Sequence, residues 1–300
     1  MTQDLDFVST EENVVRFTVG GSKTVYKRKL NSDGTFKLKK HIYQVNADAI
    51  YGVSEAPIVA PAKPLEPLQS EFPINQRFGF LEKFTNMVLD GDTASIIVTG
   101  EGGLGKSHTI MEALNGRGWH NEFDYFLVKG YATPKALYAT LWENRKKTLI
   151  FDDCDSVLKD PTAVNLLKGA LDSYDTRTIS WLSKGFIDDG LPDSFEFEGN
   201  VIFISNMKAE KIDKAIRSRS ITIDLTMTME DKLERMEFIL PNILTDFSDD
   251  LKTEGLNFIK EHAEEARELN MRTLMKVIKV AHAYGEEDWY DAAKYLLTNV

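Results

Sequence analysis

The chain has 300 residues, 42% of them hydrophobic, enough to bury one large core or two modest ones. Its formal charge of −11 excludes a surface that binds nucleic acid broadly, and its single cysteine, Cys154, excludes an internal disulfide and suits a reducing compartment. No apolar stretch approaches membrane-spanning length and the first residues carry no leader pattern, so a cytoplasmic protein with no membrane partner is expected.

The amino-terminal part departs from that average. Between Val14 and Gln44 stand Arg16, Lys23, Lys27, Arg28, Lys29, Lys37, Lys39 and Lys40 against Asp33 alone, a net +7 that leaves −18 elsewhere. Apolar alternation predicts strands over 14–19, 24–29 and 35–43, separated by Gly20-Gly21-Ser22 and Asn31-Ser32-Asp33-Gly34, which are turn signals. Residues 1–55 therefore read either as a small basic β meander or as a basic arm. Residues 56–70 carry Pro57, Pro61, Pro64 and Pro67 and read as an extended linker.

From residue 75 onward strands and helices alternate, which predicts an α/β domain over 71–228 with a five-stranded parallel sheet flanked by helices. A helix over 77–89 precedes the apolar strand 95–99. Then comes Gly100-Glu101-Gly102-Gly103-Leu104-Gly105-Lys106-Ser107, a complete G-x-x-x-x-G-K-S, and a helix from His108. Glycines let such a loop curl until successive N–H groups face phosphate oxygens, which Cβ atoms would obstruct. Residues 100–108 thus form the expected nucleotide-binding stretch, with Lys106 on the β- and γ-phosphates and the Ser107 hydroxyl on Mg²⁺.

Further strands are expected over 123–129 and 148–151, with a helix between them that Thr133 caps and Pro134 opens. The second of these strands ends in Asp152-Asp153. A phosphate-loop enzyme needs one carboxylate near Mg²⁺ and another to orient the attacking water, so Asp152 is assigned to the metal and Asp153 to the water. Both are expected at the carboxyl end of the strand beside the loop strand. Asp155 reads as an N-cap or a solvated acid.

Asp160-Pro161 opens a helix that runs to about Tyr174. Residues 177–182 and 194–198 flank a turn-rich stretch and predict a β-hairpin or a long loop. Its Trp181, Lys184 and Phe186 form either a tip facing a polymer in a channel or a hydrophobic flap. Strands over 200–205 and 221–225 complete the sheet, and 229–300 has purely helical spacing.

Taken in order, these segments resemble the AAA+ ATPase family over about residues 70–300. Phe151-Asp-Asp-Cys-Asp-Ser156 and Leu171-Asp-Ser-Tyr-Asp-Thr-Arg177 are similar to AAA+ proteins of tailed bacteriophages. The resemblance implies that Asn206, after the fourth core strand, is the sensor 1 residue. It implies that Arg219, or failing that Arg217, reaches a neighbouring subunit's nucleotide. Asn270 would cap the lid helix and Arg272 would be its sensor 2 arginine. ATP and Mg²⁺ are the implied ligands, and a homo-oligomer, a hexameric ring or a filament, the implied assembly. The implied work is remodelling of a nucleoprotein or replication-type assembly, with nucleic acid as a partner and the host cytoplasm as the setting.

The chain departs from the family pattern twice. Asp152-Asp153 replaces the usual Asp-Glu pair, and the short stretch 130–146 leaves little room for a long pore loop. Tyr131 is then either a reduced pore residue or a packing or turn tyrosine. A protein-remodelling chaperone or unfoldase, and a slow nucleotide-dependent switch or scaffold, stay open beside the first reading.

Overall fold

The structure is a computed structural model that describes residues 5–11, 14–19, 25–29, 31, 35–38, 41–44, 70–182 and 190–299. It divides into two compact units, Met1–Gln69 and Ser70–Val300. Most of the proline-rich stretch lies outside the described residues.

In the first unit β1 (Leu5–Glu11), β2 (Val14–Val19) and β3 (Tyr26–Lys29) form an antiparallel sheet with β2 at its centre. β4 (Thr35–Leu38) and β5 (His41–Gln44) form a separate antiparallel pair. This corrects the expected meander in two ways: β1 is an additional strand, and the stretch 35–43 is two paired strands instead of one. Val15, Phe17 and Phe36 are fully buried, with the Phe17 and Phe36 rings 5.1 Å apart. Phe17 also stacks on Tyr26 at 5.9 Å.

The second unit is built on a five-stranded parallel sheet: β6 (Ser95–Thr99), β7 (Tyr125–Lys129), β8 (Thr148–Asp152), β11 (Asn200–Ser205) and β12 (Ile221–Asp224), in the order β12-β6-β11-β8-β7. Every residue of β6 and of β8 is buried, as strands covered on both faces require. One face presents Ile97, Leu149, Phe151, Val201 and Phe203 to α3 (Pro134–Glu143), α4 (Ser156–Lys159) and α5 (Pro161–Ala170). The other presents Ile96, Val98, Ile150, Ile202 and Ile204 to α1 (Ile74–Leu89) and α2 (Lys106–Gly116). The side-chain period of two thus sorts one strand set into two apolar layers. An Ile150→Ala cavity would cost about 2–5 kcal/mol.

Local chemistry sets the helix starts. Thr133 accepts from Ala136 N ahead of Pro134, and Asp160 accepts from Thr162 N and Ala163 N ahead of Pro161, filling orphan donors where proline has none to offer. α5 stops at Ala170, short of the expected Tyr174, and Leu171 folds back into the core. The predicted hairpin is β9 (Thr178–Ser180) paired antiparallel with β10 (Ser194–Glu196). Trp181 is not at its tip: the indole is half-buried and meets Tyr138 of α3 edge-on at 5.7 Å. Lys184 and Phe186 lie outside the described residues.

After the short α6 (Lys214–Arg217) and β12, the chain forms α7 (Met229–Ile239), α8 (Asp249–Glu261) and α9 (Met271–Asn299), the last broken at Gly285 by a non-helical φ of 69°. Thr228 and Asp231 make a reciprocal capping box on α7. These helices bury their own apolar cluster around Met236, Leu256, Leu274, Ile278 and Trp289. Polar contacts join them to the sheet layer: Arg77 of α1 donates to Thr226 O at 2.7 Å and to Asp231 at 2.9 Å. No helix among the described residues is long and apolar enough to cross a membrane.

Candidate functional site

The site lies at the carboxyl end of the sheet, where β6 runs into the glycine-rich loop and α2 leaves it. The loop needs its glycines. Gly100, Gly103 and Gly105 have φ of 141°, 76° and 99°, which disfavour side chains. A Cβ on Gly100 would lie 2.8 Å from Leu225 O, and one on Gly103 would lie 3.2 Å from the Asn270 side chain.

Lys106, the first residue of α2, is only 6% exposed. Its ammonium donates to Gly100 O at 2.8 Å, Glu101 O at 2.7 Å and Asn206 Oδ1 at 3.0 Å. All three acceptors are neutral. Burial therefore pushes the Lys106 pKa down; the charges of Asp153, Asp152 and Glu101 oppose that shift, and Arg272 adds to it. A buried cation hydrogen-bonded only to neutral oxygens favours an anion, and this loop geometry fits a phosphate.

Beside it the Ser107 hydroxyl donates to Asp152 Oδ1 at 2.8 Å. The expectation that the acidic strand adjoins the loop strand is corrected: β11 lies between β6 and β8. Helix α2, leaving the loop, carries Ser107 past β11 to Asp152. The intervening strand delivers Asn206, whose amide bridges the two halves of the site. Its Oδ1 accepts from Lys106 and its Nδ2 donates to Asp153 Oδ1 at 2.7 Å.

Asp153 has φ of 53°, in the left-handed region. Aspartate and asparagine tolerate that conformation better than longer residues, which gives the Asp-Asp pair a backbone reason at this turn. Asp155 is also corrected. It sits at the start of α4 without capping it, and its carboxylate instead accepts from Ser205 Oγ at 2.6 Å.

The carboxyl-terminal helices touch the loop at several points. Lys232 of α7 pairs with Glu101, and Met271 N of α9 donates to Gly103 O at 3.0 Å. Asn270 caps α9 by accepting from Thr273 N at 3.0 Å. Arg272, the second residue of α9, is exposed, with its charge felt at Lys106. Arg235 of α7 lies with its guanidinium 3.7 Å over the Phe78 ring, bonded to Asn75 Oδ1 at 3.0 Å, and burial lowers its pKa to about 10. His108 turns away from the site and pairs with Glu112 at 3.2 Å on the exposed side of α2.

Sequence reasoning missed Lys129, the last residue of β7, whose ammonium lies 3.3 Å from Asp152 Oδ2. Its place at the carboxyl end of a parallel strand was the available signal, since ligands bind along that edge. Glu101–Lys232 and Gly103–Met271 had no such signal, because each joins segments far apart in the chain.

Arg219 and Arg217 stand elsewhere. They precede β12, so they lie at the amino end of the sheet, where Ser95 Oγ donates to Arg219 O at 3.3 Å. The Arg217 guanidinium donates to Ile212 O at 3.2 Å, within its own turn. Arg219 Nη1 donates to Ala215 O at 3.1 Å, while its Nε is buried with no hydrogen-bond partner and 4.0 Å from Asp172. The side chain is 32% exposed and borders a cleft of about 520 Å³ with Asp92 and Asp172. Tyr131 is 77% exposed after Gly130, so it does not pack within its own subunit.

A 36.7 kDa protein of Enterobacteria phage T4, encoded in the nrdC–mobD intergenic region and described as uncharacterised, is 30% identical to this chain over 223 residues. The match spans 67% of this chain and 68% of the phage protein. The chain belongs to that phage protein's family. No protein-family model matches it.

Proposed function

We propose that the protein is a Mg²⁺-dependent ATPase of the AAA+ class that acts at subunit interfaces, in the host cytoplasm, to remodel a nucleoprotein or replication-type assembly. The observation that carries this is the meeting of Ser107 with Asp152 at 2.8 Å beside a buried Lys106 that lacks a hydrogen-bonded counter-ion. A phosphate loop and a metal carboxylate have to converge in this way for a magnesium triphosphate to be held.

In this reading Lys106 and the loop N–H groups hold phosphate oxygens, and the Ser107 and Asp152 oxygens are the protein's ligands for the metal. Bound Mg²⁺ supplies neutralisation of phosphate charge. Asp153 orients water and accepts its proton, and Asn206 holds that carboxylate while offering its amide to the reacting groups. Arg272 adds positive charge from the lid.

Arg219 faces away from its own subunit's loop, so it would act on a neighbour's site, where a guanidinium offers a permanently charged fork for phosphate oxygens. That role makes the active form a homo-oligomer, a hexameric ring or a filament. The test measures nucleotide binding and hydrolysis across protein concentration. Specific activity that stays flat over the range in which the protein assembles would refute the shared site.

The slow-switch reading draws on Asp153. Its carboxylate is engaged by Asn206 at 2.7 Å and it sits in a left-handed turn one methylene short of glutamate. A single-turnover measurement separates the two: a switch binds ATP tightly and releases phosphate far more slowly than it assembles.

A further inference from the structure

The amide that bridges the site belongs to Asn206, an exposed residue just beyond β11. An exposed side chain has rotamer freedom to lose, so its placement depends on how firmly the backbone on either side is held. Here both neighbours are buried, Ser205 completely. The Ser205 hydroxyl donates to Asp155 Oδ1 at 2.6 Å and accepts from Met207 N at 3.0 Å, so one oxygen fastens the chain before and after Asn206.

Asp155 has a nearer use that it does not take. It occupies the N-cap position of α4, where an aspartate ordinarily accepts from the helix's own first N–H groups. No such bond is made, and the carboxylate turns to the end of β11 instead. Lys159 stands 3.8 Å from its other oxygen, in a pair exposed enough to contribute little. Nor is the carboxylate needed to join the two strand ends, because Asp153 N already donates to Ile204 O at 3.0 Å. What the Asp155 bond adds is a fixed hydroxyl, its proton directed away so that a lone pair faces Met207 N.

We infer that Asp155 is a positioning residue: through Ser205 it fixes the turn that carries Asn206, and so sets the Asn206 amide between Lys106 and Asp153. Its effect on turnover rests on the ATPase reading, whereas its hold on Asn206 does not. Asp155 acts on the reacting groups only through that amide.

The test is a double-mutant cycle on the full chain, read in two ways. In steady-state ATP hydrolysis Asp155→Ala is expected to lower kcat about tenfold, with KM within about twofold of the parent. Ser205→Ala removes the bond from its other end and should show the same split; it carries the test should Asp155→Ala not fold. Asp155→Asn keeps an acceptor oxygen and should recover most of the rate. Added to Asn206→Ala, Asp155→Ala should lower kcat no further, since the group it positions is gone. A merely structural role would lower the melting temperature and add its own loss to that of Asn206→Ala.

The second readout needs no hydrolysis. The Asn206 side-chain amide signals of an isotope-labelled chain, identified by NMR through their loss in Asn206→Ala, should shift or broaden in Asp155→Ala and in Ser205→Ala. They should stay near their parental positions in Asp155→Asn. Three results would each overturn the inference: an unchanged kcat in Asp155→Ala, full additivity with Asn206→Ala, or amide signals that do not move. Should the parent hydrolyse no ATP, the ATPase reading falls, and the amide signals alone decide whether Asp155 positions Asn206.

Discussion

The two ends of the parallel sheet treat their charged side chains differently. At the carboxyl end the hydrogen-bonding groups of Lys106, Asp152 and Asp153 are engaged within the subunit, although Nε of Arg235 beside the loop is, like that of Arg219, buried without a hydrogen bond. Lys106 has three acceptors, both Asp152 oxygens have cations or hydroxyls near them, and Asp153 has Asn206. At the amino end Arg219 uses one nitrogen on Ala215 O, leaves Nε without a hydrogen bond, and stands 4.0 Å from Asp172, at the limit of an ion pair and beyond hydrogen-bonding distance. A buried donor without a partner carries a desolvation cost of about 1–3 kcal/mol. The first end gathers its polar groups around the glycine-rich loop, whereas the second holds a guanidinium whose capacity is not used up by its own chain.

The largest effect is expected at the carboxyl end. Lys106→Ala should lower ATP affinity at least about 100-fold, since it removes the buried cation beside the loop, and titration with a fluorescent ATP analogue would measure it. Unchanged affinity would break the reading of that end as a phosphate site.

The amino end is tested by Arg219→Ala, expected to keep ATP affinity and lose about 10³-fold in turnover. Mixing it with Lys106→Ala protein should restore part of the activity, because one mixed interface then has both groups intact. No recovery in subunits shown to co-assemble would remove Arg219 from the chemistry. Asp153→Asn should bind ATP within about threefold of the parent and turn over about 10²-fold more slowly, measured as steady-state phosphate release. If that variant loses binding instead, Asp153 belongs to the loop's support.

Two smaller effects sharpen the picture. Gly103→Ala places a Cβ 3.2 Å from Asn270 at a φ of 76°, and should cost about 1–2 kcal/mol by thermal denaturation, with weaker ATP binding. An unaltered melting temperature would mean that the loop and the start of α9 yield to each other freely. Lys129→Gln frees one oxygen of Asp152 from a competing cation and should lower the Mg²⁺ concentration for half-maximal nucleotide binding by about twofold. A raised Mg²⁺ requirement would instead show that Lys129 supports the site.

Much of this was legible along the chain, because the signals are local. The apolar run 95–99, the glycines after it and Lys106-Ser107 occupy one strand, turn and helix, so spacing alone describes them. Asp152 and Asp153 are legible as acids ending an apolar strand, and Thr133 and Asp160 as caps, because capping is completed within four residues, whereas Asn270 as a cap follows only from the family resemblance. The stretch 35–43 reads as one strand because its composition suits a strand throughout, and only the pairing of Thr35–Leu38 with His41–Gln44 divides it. Trp181 was ambiguous because an aromatic beside a turn suits a tip and a flap equally well, and only Tyr138, on a different element, decides between them.

Residue order thus sets where each strand, turn and helix begins, since those choices depend on backbone preference and on side chains within a few positions. It does not set which strand lies next to which. Placing β11 between β6 and β8 puts Asn206 between Lys106 and Asp153, and it leaves Arg219 at the far end from its own loop. Strand neighbours are chosen by how two apolar layers close over both faces of the sheet at once, a condition met by the assembled domain and not by any segment of it.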